Sequence, residues 1–206
     1  MAKFVVWLLS FMFFCALVAV AGVLFVIFHY EKDLPDYLQL SDYQPAVTTR
    51  LYAGNGNLLA EYAAEKRIFV PVSRMPPHIL EAFISAEDKH FYSHGGLDYT
   101  GIARAVLVNI KNHGKGRRMV GASTITQQVA KNFLLTNEVS FDRKIKEALI
   151  AFRMERTFTK EHILELYLNE IYLGKSSYGV AAAALNYFNK SLDELTLGEK
   201  IGRAHV

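Results

Sequence analysis

The pattern of apolar and polar positions divides the chain into three unlike stretches. Residues 4–28 carry no charge and are interrupted only by Ser10, Cys15 and Gly22. As a helix this run is roughly 37 Å long, enough to cross a bilayer with some tilt. Trp7 and Tyr30 fall near its two ends, where amphipathic rings prefer the interface. Ala19-Val20-Ala21 offers a small-x-small cleavage site, but the apolar run continues to Phe28. That continuation suits a retained anchor better than a removed signal peptide. Lys3 lies on one side, and Glu31, Lys32 and Asp33 on the other. This weak bias keeps the N-terminus cytoplasmic and residues 30–206 outside. The expected location is the cytoplasmic (inner) membrane, crossed once, with the remainder of the chain extracytoplasmic.

The second stretch is short and mixed. Residues 32–45 read as a stalk with two prolines and scattered charge. Residues 47–52 alternate and are β-rich, Gly54-Asn55-Gly56-Asn57 is a turn signal, and residues 58–62 can return as a second strand. Residues 68–72 are a candidate third strand, in a small sheet expected between the membrane and the main domain.

From Pro77 the period becomes helical. Ile79, Leu80, Phe83, Ile84 and Glu87 recur on one face, and Gly95-Gly96 ends that region. Thr100 is the expected cap of a second helix carrying Ile102, Val106, Leu107 and Ile110, followed by a glycine-containing basic loop at 111–118. A third helix starts at Ser123 or Thr124. A fourth, capped by Asp142, has Ile145, Leu149 and Phe152 as its stripe, and a fifth is capped by Thr159. An alanine-rich sixth covers residues 179–188, and Thr196-Leu-Gly-Glu199 resembles a capping box that opens a seventh. Residues 201–206, Ile-Gly-Arg-Ala-His-Val, are what one frame of a common sequencing adapter encodes (ATC GGA AGA GCA CAC GTC). We read them as a read-through artefact and leave them out of fold reasoning. A longer assembly of the gene with the same six residues would refute that reading.

Composition narrows the chemistry. The formal net charge of +3 over 206 residues gives no global field that argues for nucleic acid. Cys15, the sole cysteine, lies in the apolar run, which excludes a disulfide framework and a cysteine-based zinc site. No pair of His or Cys residues has metal-site spacing.

Four polar patterns remain. Glu87-Asp88 follows an apolar stripe and precedes Phe91-Tyr92; a carboxylate against apolar surface is shifted toward general-base use, although acidic pairs at helix ends are usually just solvated. Residues 121–128, Gly-Ala-Ser-Thr-Ile-Thr-Gln-Gln, form a hydroxyl- and amide-rich helix start whose free N–H groups can attract an anion, with Lys131 one turn on. The ordinary meaning is a capped helix with a polar face. Arg143, Lys144 and Glu147 share one helix face at three- and four-residue spacing. That face is either a solvated ion-pair surface or a carboxylate among cations that bind an anionic leaving group. Residues 160–169 combine a core stripe with Asn169, and His94 is more readily a satisfied structural histidine than a ligand or base.

Taken in this order, residues 87–96, 121–128, 143–147 and 160–169 resemble four successive signature motifs of glycosyltransferase family 51. This family comprises the glycosyltransferase modules of class A penicillin-binding proteins and the monofunctional peptidoglycan glycosyltransferases. A looser fifth motif is present at 179–188 with Lys190, and the stalk and β-rich segment look most like the bifunctional, type 1A-like members.

The resemblance implies a mainly α, lysozyme-like glycosyltransferase domain with a small β segment, preceded by one transmembrane helix. The organisation it implies is an anchor at 1–30, a stalk with the β segment at 31–75 and a C-terminally truncated domain at 76–199. A membrane-resting jaw would fall around 98–120; simple core packing is the equal alternative for its apolar positions. The implied reaction polymerises lipid II into β-1,4-linked strands with inversion, the donor being a growing glycan chain on undecaprenyl diphosphate. By similarity Glu87 is the general base, and Lys131, Arg143 and Lys144 hold the diphosphate. Glu147 is the second glutamate, orienting cations, assisting departure or holding a metal. Ser123, Thr124, Gln127 and Gln128 fit the same cleft, while Asp88, Phe91, His94, Gly96 and Asn169 support it. No cofactor is required, although a divalent cation (Mg2+ or Mn2+) can assist at the diphosphate. The implied partners are lipid II, the glycan chain, the bilayer and other cell-wall synthesis proteins, with no nucleic acid. Ser176-Ser177 stands where some relatives carry an arginine, and no penicillin-binding Ser-x-x-Lys site can be assigned. A lysozyme-like hydrolase or lytic transglycosylase is the second reading, which the cations oppose because hydrolysis involves no diphosphate. A non-catalytic cell-wall scaffold is the third.

Overall fold

The computed structural model describes residues 2–41, 43, 49–55, 58–62, 66–114, 116–117, 119–135, 140–196 and 198–199. The adapter-like tail, residues 63–65 and residues 136–139 lie outside them. As expected, the fold is mainly helical, with little strand and one apolar N-terminal helix.

Helix α1, Ala2–Glu31, is long and apolar enough to cross a membrane. Strands β1, Thr49–Tyr52, and β2, Leu58–Tyr62, form the antiparallel hairpin that the turn signal predicts. The third strand is not at 68–72. Instead β3, Lys66–Arg67, pairs in parallel with β4, Ser177–Tyr178. Residues 68–72 find side-chain partners instead: Asn169 Oδ1 accepts from Val70 N–H at 2.8 Å, its Nδ2 donates to Val70 C=O at 2.9 Å, and Glu165 accepts from Val72 N–H at 2.8 Å. These contacts satisfy main-chain groups that a ladder would otherwise pair. The segment before the hairpin is also tied down: Leu40 is buried in the core, and its carbonyl lies 3.1 Å from His162 Nε2.

The domain is built from α2 (Pro77–Glu87), α3 (Tyr99–Asn112), α4 (Ile125–Leu134), α5 (Phe141–Thr157), α6 (Lys160–Glu170) and α7 (Val180–Phe188). Helix α6 is central. Ile163, Leu164, Leu166, Tyr167 and Leu168 are all buried, so it is enclosed nearly all round. Helix α4 lies between α5 and α6, burying Ile125, Val129 and Ala130 against a core that includes Ile150 and Met154. Thr159 caps α6 as expected, accepting from His162 N–H. Two other caps differ from the sequence reading: Asp98, not Thr100, caps α3, and Ser140, not Asp142, caps α5. Thr100 and Asp142 sit inside the first turns instead.

Helix α3 stands apart from the core. Only Ala105 is buried; Ile102, Val106, Leu107 and Ile110 are exposed, so core packing does not account for its apolar stripe. Its start depends on Asp98, whose carboxylate accepts from the Thr100 hydroxyl at 2.6 Å and from Gly101 N–H at 2.9 Å, and lies 2.9 Å from His90 Nδ1. The Thr100 hydroxyl first, then His90 and Gly101, hold the Asp98 carboxyl far below the usual carboxylate range. A depressed folded pKa gives a contribution complete above about pH 4 and lost as the pH falls further. Asp98→Ala is therefore expected to cost about 1 kcal/mol and to remove this part of the acid sensitivity. Amide hydrogen exchange along α3, followed from neutral pH down to about pH 3, checks both.

Candidate active site

The last residue of α2 is Glu87, and the chain then turns sharply. Asp88, with φ −154° and ψ 76°, leaves the helix and sends its buried carboxylate inward, where it accepts from Ile125 N–H at 3.0 Å and from His94 Nε2 at 2.9 Å. His94 Nδ1 accepts from Gly96 N–H at 3.1 Å, which leaves Nε2 carrying the proton it donates to Asp88. Gly96 has φ +97°, and a Cβ there would lie 2.8 Å from the carbonyl oxygen of Ala151 on α5, so only glycine fits. The Thr124 hydroxyl donates to Gly96 C=O at 2.7 Å.

Beneath the loop, Lys160 Nζ donates to His94 C=O at 2.7 Å and to Glu155 at 2.8 Å, and lies 4.4 Å from the centre of the buried Phe91 ring. Glu155 accepts in turn from Thr126 at 2.6 Å. Loop 88–98 is thus fixed to three helices, which sets where Glu87 stands. The Thr126–Glu155–Lys160 link is absent from the sequence reading, because its members face each other across the break between α5 and α6.

Thr124 closes a capping box on α4: its side chain accepts from Gln127 N–H at 3.2 Å, and Gln127 Oε1 accepts from Thr124 N–H at 3.1 Å. With Asp88 on Ile125 N–H, two of the first three α4 amides are already engaged. Of the N–H groups expected to receive an anion, those of Ile125 and Gln127 are therefore already taken. Side chains at this helix start and beyond it supply further donors.

Those side chains surround a cavity of about 480 Å³. Glu87 stands on its rim, exposed, accepting from Gln128 Nε2 at 3.0 Å. This is the solvated helix end that acidic pairs usually make, not a carboxylate pressed against apolar surface. Glu147 lines the same cavity with its side chain only 2% exposed. Arg143 donates to one of its oxygens at 2.6 Å and Lys144 to the other at 2.7 Å; Lys144 also donates to Ser123 Oγ at 2.8 Å. Lys131 and Gln127 complete the wall, together with Ala86 and Gly121, two positions the sequence reading does not single out. Gly121 lies inside a recognised motif, but Ala86 carries no signal.

Donors remain after the internal bonds are counted. Arg143 has five N–H groups; its buried Nε has no partner among the described residues. Lys131 has no ion-pair partner among them either. Two glutamates and three cations therefore face one cavity, with Glu147 already neutralised. Tyr167, under Glu87, is buried with its hydroxyl unpartnered among the described residues; burial, and then the Glu87 charge, push its phenol up. Asp88, Phe91, His94 and Gly96 do not line the cavity, and neither does Thr124, whose side chain is spent on the capping box and on Gly96 C=O. Asn169 lies outside it, holding Val70.

Among the described residues no three His, Cys, Asp or Glu side chains cluster in metal-ligand fashion, and both oxygens of Glu147 already accept from cations.

The model of the family described as Transglycosylase matches residues 55–202. The chain belongs to the transglycosylase family. This is the glycosyltransferase family 51 that its motifs resemble. Among relatives of this transglycosylase chain, penicillin-binding protein 1A of Rickettsia felis is 59% identical over 175 residues, covering 85% of this chain and 22% of the relative. Penicillin-binding protein 1A of Escherichia coli K12 is 45% identical over 186 residues, covering 90% and 22%. A crystal structure of penicillin-binding protein 1A from Haemophilus influenzae is 25% identical with a TM-score of 0.36, covering 79% of this chain and 14% of that one. The chain thus spans about a quarter or less of the curated relatives it matches.

Proposed function

We propose that this chain is the anchored glycosyltransferase module of a peptidoglycan polymerase, joining lipid II units into β-1,4-linked strands. One observation carries the reading: an exposed carboxylate, Glu87, lines a single cavity together with Lys131, Arg143 and Lys144. Glu87 takes the proton from the acceptor sugar hydroxyl as its oxygen attacks the donor's anomeric carbon. The bond from that carbon to the diphosphate oxygen breaks, configuration inverts, and undecaprenyl diphosphate leaves. The cations stabilise the charge on that leaving group. Glu147 acts by holding Arg143 and Lys144 in place. A divalent cation such as Mg2+ or Mn2+ at the diphosphate would have Glu87 and Glu147 as the carboxylates of the cavity nearest to hold it, and would supply further charge stabilisation to the leaving group.

Residues 1–30 make the anchor, 31–75 the stalk with its β segment, and 76–199 belong to the glycosyltransferase domain, with α1 as a single-pass anchor in the inner membrane and the N-terminus cytoplasmic. The exposed apolar residues of α3, with the nearby basic loop, suit an anionic bilayer surface. A hydrolase needs no cations opposite its glutamate, which places that alternative second; cell-wall partners would meet surfaces other than the cavity.

The test is direct. The full-length gene product, incubated with lipid II in detergent, is expected to form glycan strands and release undecaprenyl diphosphate, and to leave finished strands uncut. A folded protein that forms no strands, or that cleaves finished ones, overturns the proposal.

A further inference from the structure

Helix α6 buries Tyr167 to 1% exposure, and its hydroxyl has no hydrogen-bond partner among the described residues. The neighbouring buried positions of this helix, Ile163, Leu164, Leu166 and Leu168, enclose only carbon. Phenylalanine would fill the Tyr167 space equally well, because an unbonded buried hydroxyl costs stability and returns nothing. The hydroxyl therefore calls for a partner in another state of the enzyme.

Its surroundings identify that partner. The Tyr167 ring meets Phe83 of α2 edge-on, with centroids 6.3 Å apart and planes at 73°. Phe83 and Glu87 are four residues apart on α2, so they sit one above the other on the same face. A ring resting on Phe83 is thus one turn from Glu87. Burial, and then the Glu87 charge, keep the phenol protonated, which leaves it a donor. Glu87 is only half engaged: Gln128 Nε2 donates to its Oε2 at 3.0 Å, and Oε1 accepts no hydrogen bond among the described residues. An unpaired donor therefore lies beneath an unpaired acceptor.

We propose that Tyr167 is a positioning residue for the base: once the acceptor sugar covers the cavity, Glu87 turns inward and its Oε1 accepts from the Tyr167 hydroxyl while Oε2 stays on Gln128. The proposal rests on the glycosyltransferase reading and deepens it by assigning what orients the base. Held at both oxygens, the carboxylate has one orientation toward the attacking hydroxyl. The phenol also favours the charged form of that carboxylate where the sugar has displaced water. The sugar proton ends on Glu87, and Tyr167 keeps its own.

Tyr167→Phe tests this in the full-length protein, with strand formation from lipid II followed across pH. Substrate-bound and free enzyme are read separately, by the kcat and kcat/KM profiles. The variant is expected to lose about tenfold in kcat at neutral pH with KM unchanged, and to move the acid limb of kcat up by about one pH unit. The acid limb of kcat/KM should stay in place, because the pair forms only with substrate bound. The other charged groups around Glu87 are the same in both proteins: Lys131, Arg143, Lys144 and Glu147 in the cavity, and Asp88, Lys89, His90, Asp98 and Arg104 in an adjoining one of about 200 Å³. A shift confined to kcat is therefore the phenol's. The melting temperature should hold or rise, since a buried donor without a partner is removed. An unchanged kcat and kcat profile overturns the assignment. So does a lower melting temperature with both acid limbs moved together, which marks a structural hydroxyl. Wild-type protein that forms no strands fails the glycosyltransferase reading and takes this assignment with it, whereas an active wild type matched by the variant fails the assignment alone.

Discussion

Glu87→Gln is expected to lower glycan-strand formation by about 10²–10⁴-fold, the usual contribution of a positioned general base. The substitution keeps the size and the hydrogen-bonding reach of the side chain, and its amide oxygen can still accept from Gln128, which donates to Glu87 at 3.0 Å. Because Glu87 is exposed at the cavity rim, the stability of the protein should change by less than about 0.5 kcal/mol. Lipid II binding should persist, since Lys131, Arg143 and Lys144 are untouched. The expected pattern is a large fall in kcat with little change in lipid II affinity, read by strand formation and by equilibrium binding on the same preparations. A scaffold would show no difference between the two proteins. A variant that keeps more than about a tenth of the wild-type rate would remove Glu87 from the base role.

The position of that carboxylate marks where sequence reasoning stopped being sufficient. The stripe of Ile79, Phe83 and Ile84 predicts the buried face of α2, and the structure buries Ile79 and Phe83. The same stripe runs on to Glu87 and leaves open an apolar setting or a solvated helix end; the structure exposes Glu87, because α2 ends there and its last two residues line the cavity. The i,i+3 and i,i+4 spacing of Arg143, Lys144 and Glu147 is visible in the sequence, and so is their common face. That Glu147 is buried is not visible, because it depends on α5 packing against α4. Helix caps show the same limit on a smaller scale. Thr100 and Asp142 are acceptable cap residues, yet Asp98 and Ser140, two residues upstream in each case, make the cap bonds. Residues 68–72 are rich in strand-forming types, but their main-chain partners are Asn169 and Glu165, nearly a hundred residues away.

The burial of Glu147 gives the second large effect. Glu147→Ala removes the acceptor of both Arg143 and Lys144 and leaves Arg143, whose side chain is only 14% exposed, as a partly buried charge without its partner. Breaking a buried pair in this way costs about 3–5 kcal/mol of stability, and the loss of two preoriented cations should lower strand formation by about 10²–10³-fold. These two consequences can be separated. The double substitution Glu147→Ala with Arg143→Ala removes the stranded charge, so it should recover at least about 1 kcal/mol of stability relative to Glu147→Ala alone. It should recover no activity, because a diphosphate-facing cation is now gone as well. Denaturant unfolding and strand formation, measured on the two single variants, the double variant and the wild type, complete the cycle. Stability that fails to return in the double variant would mean that Glu147 supports the fold through packing and not through its cations. Activity that does return would mean that Arg143 is not needed at the leaving group, and that Lys131 and Lys144 hold the diphosphate without it.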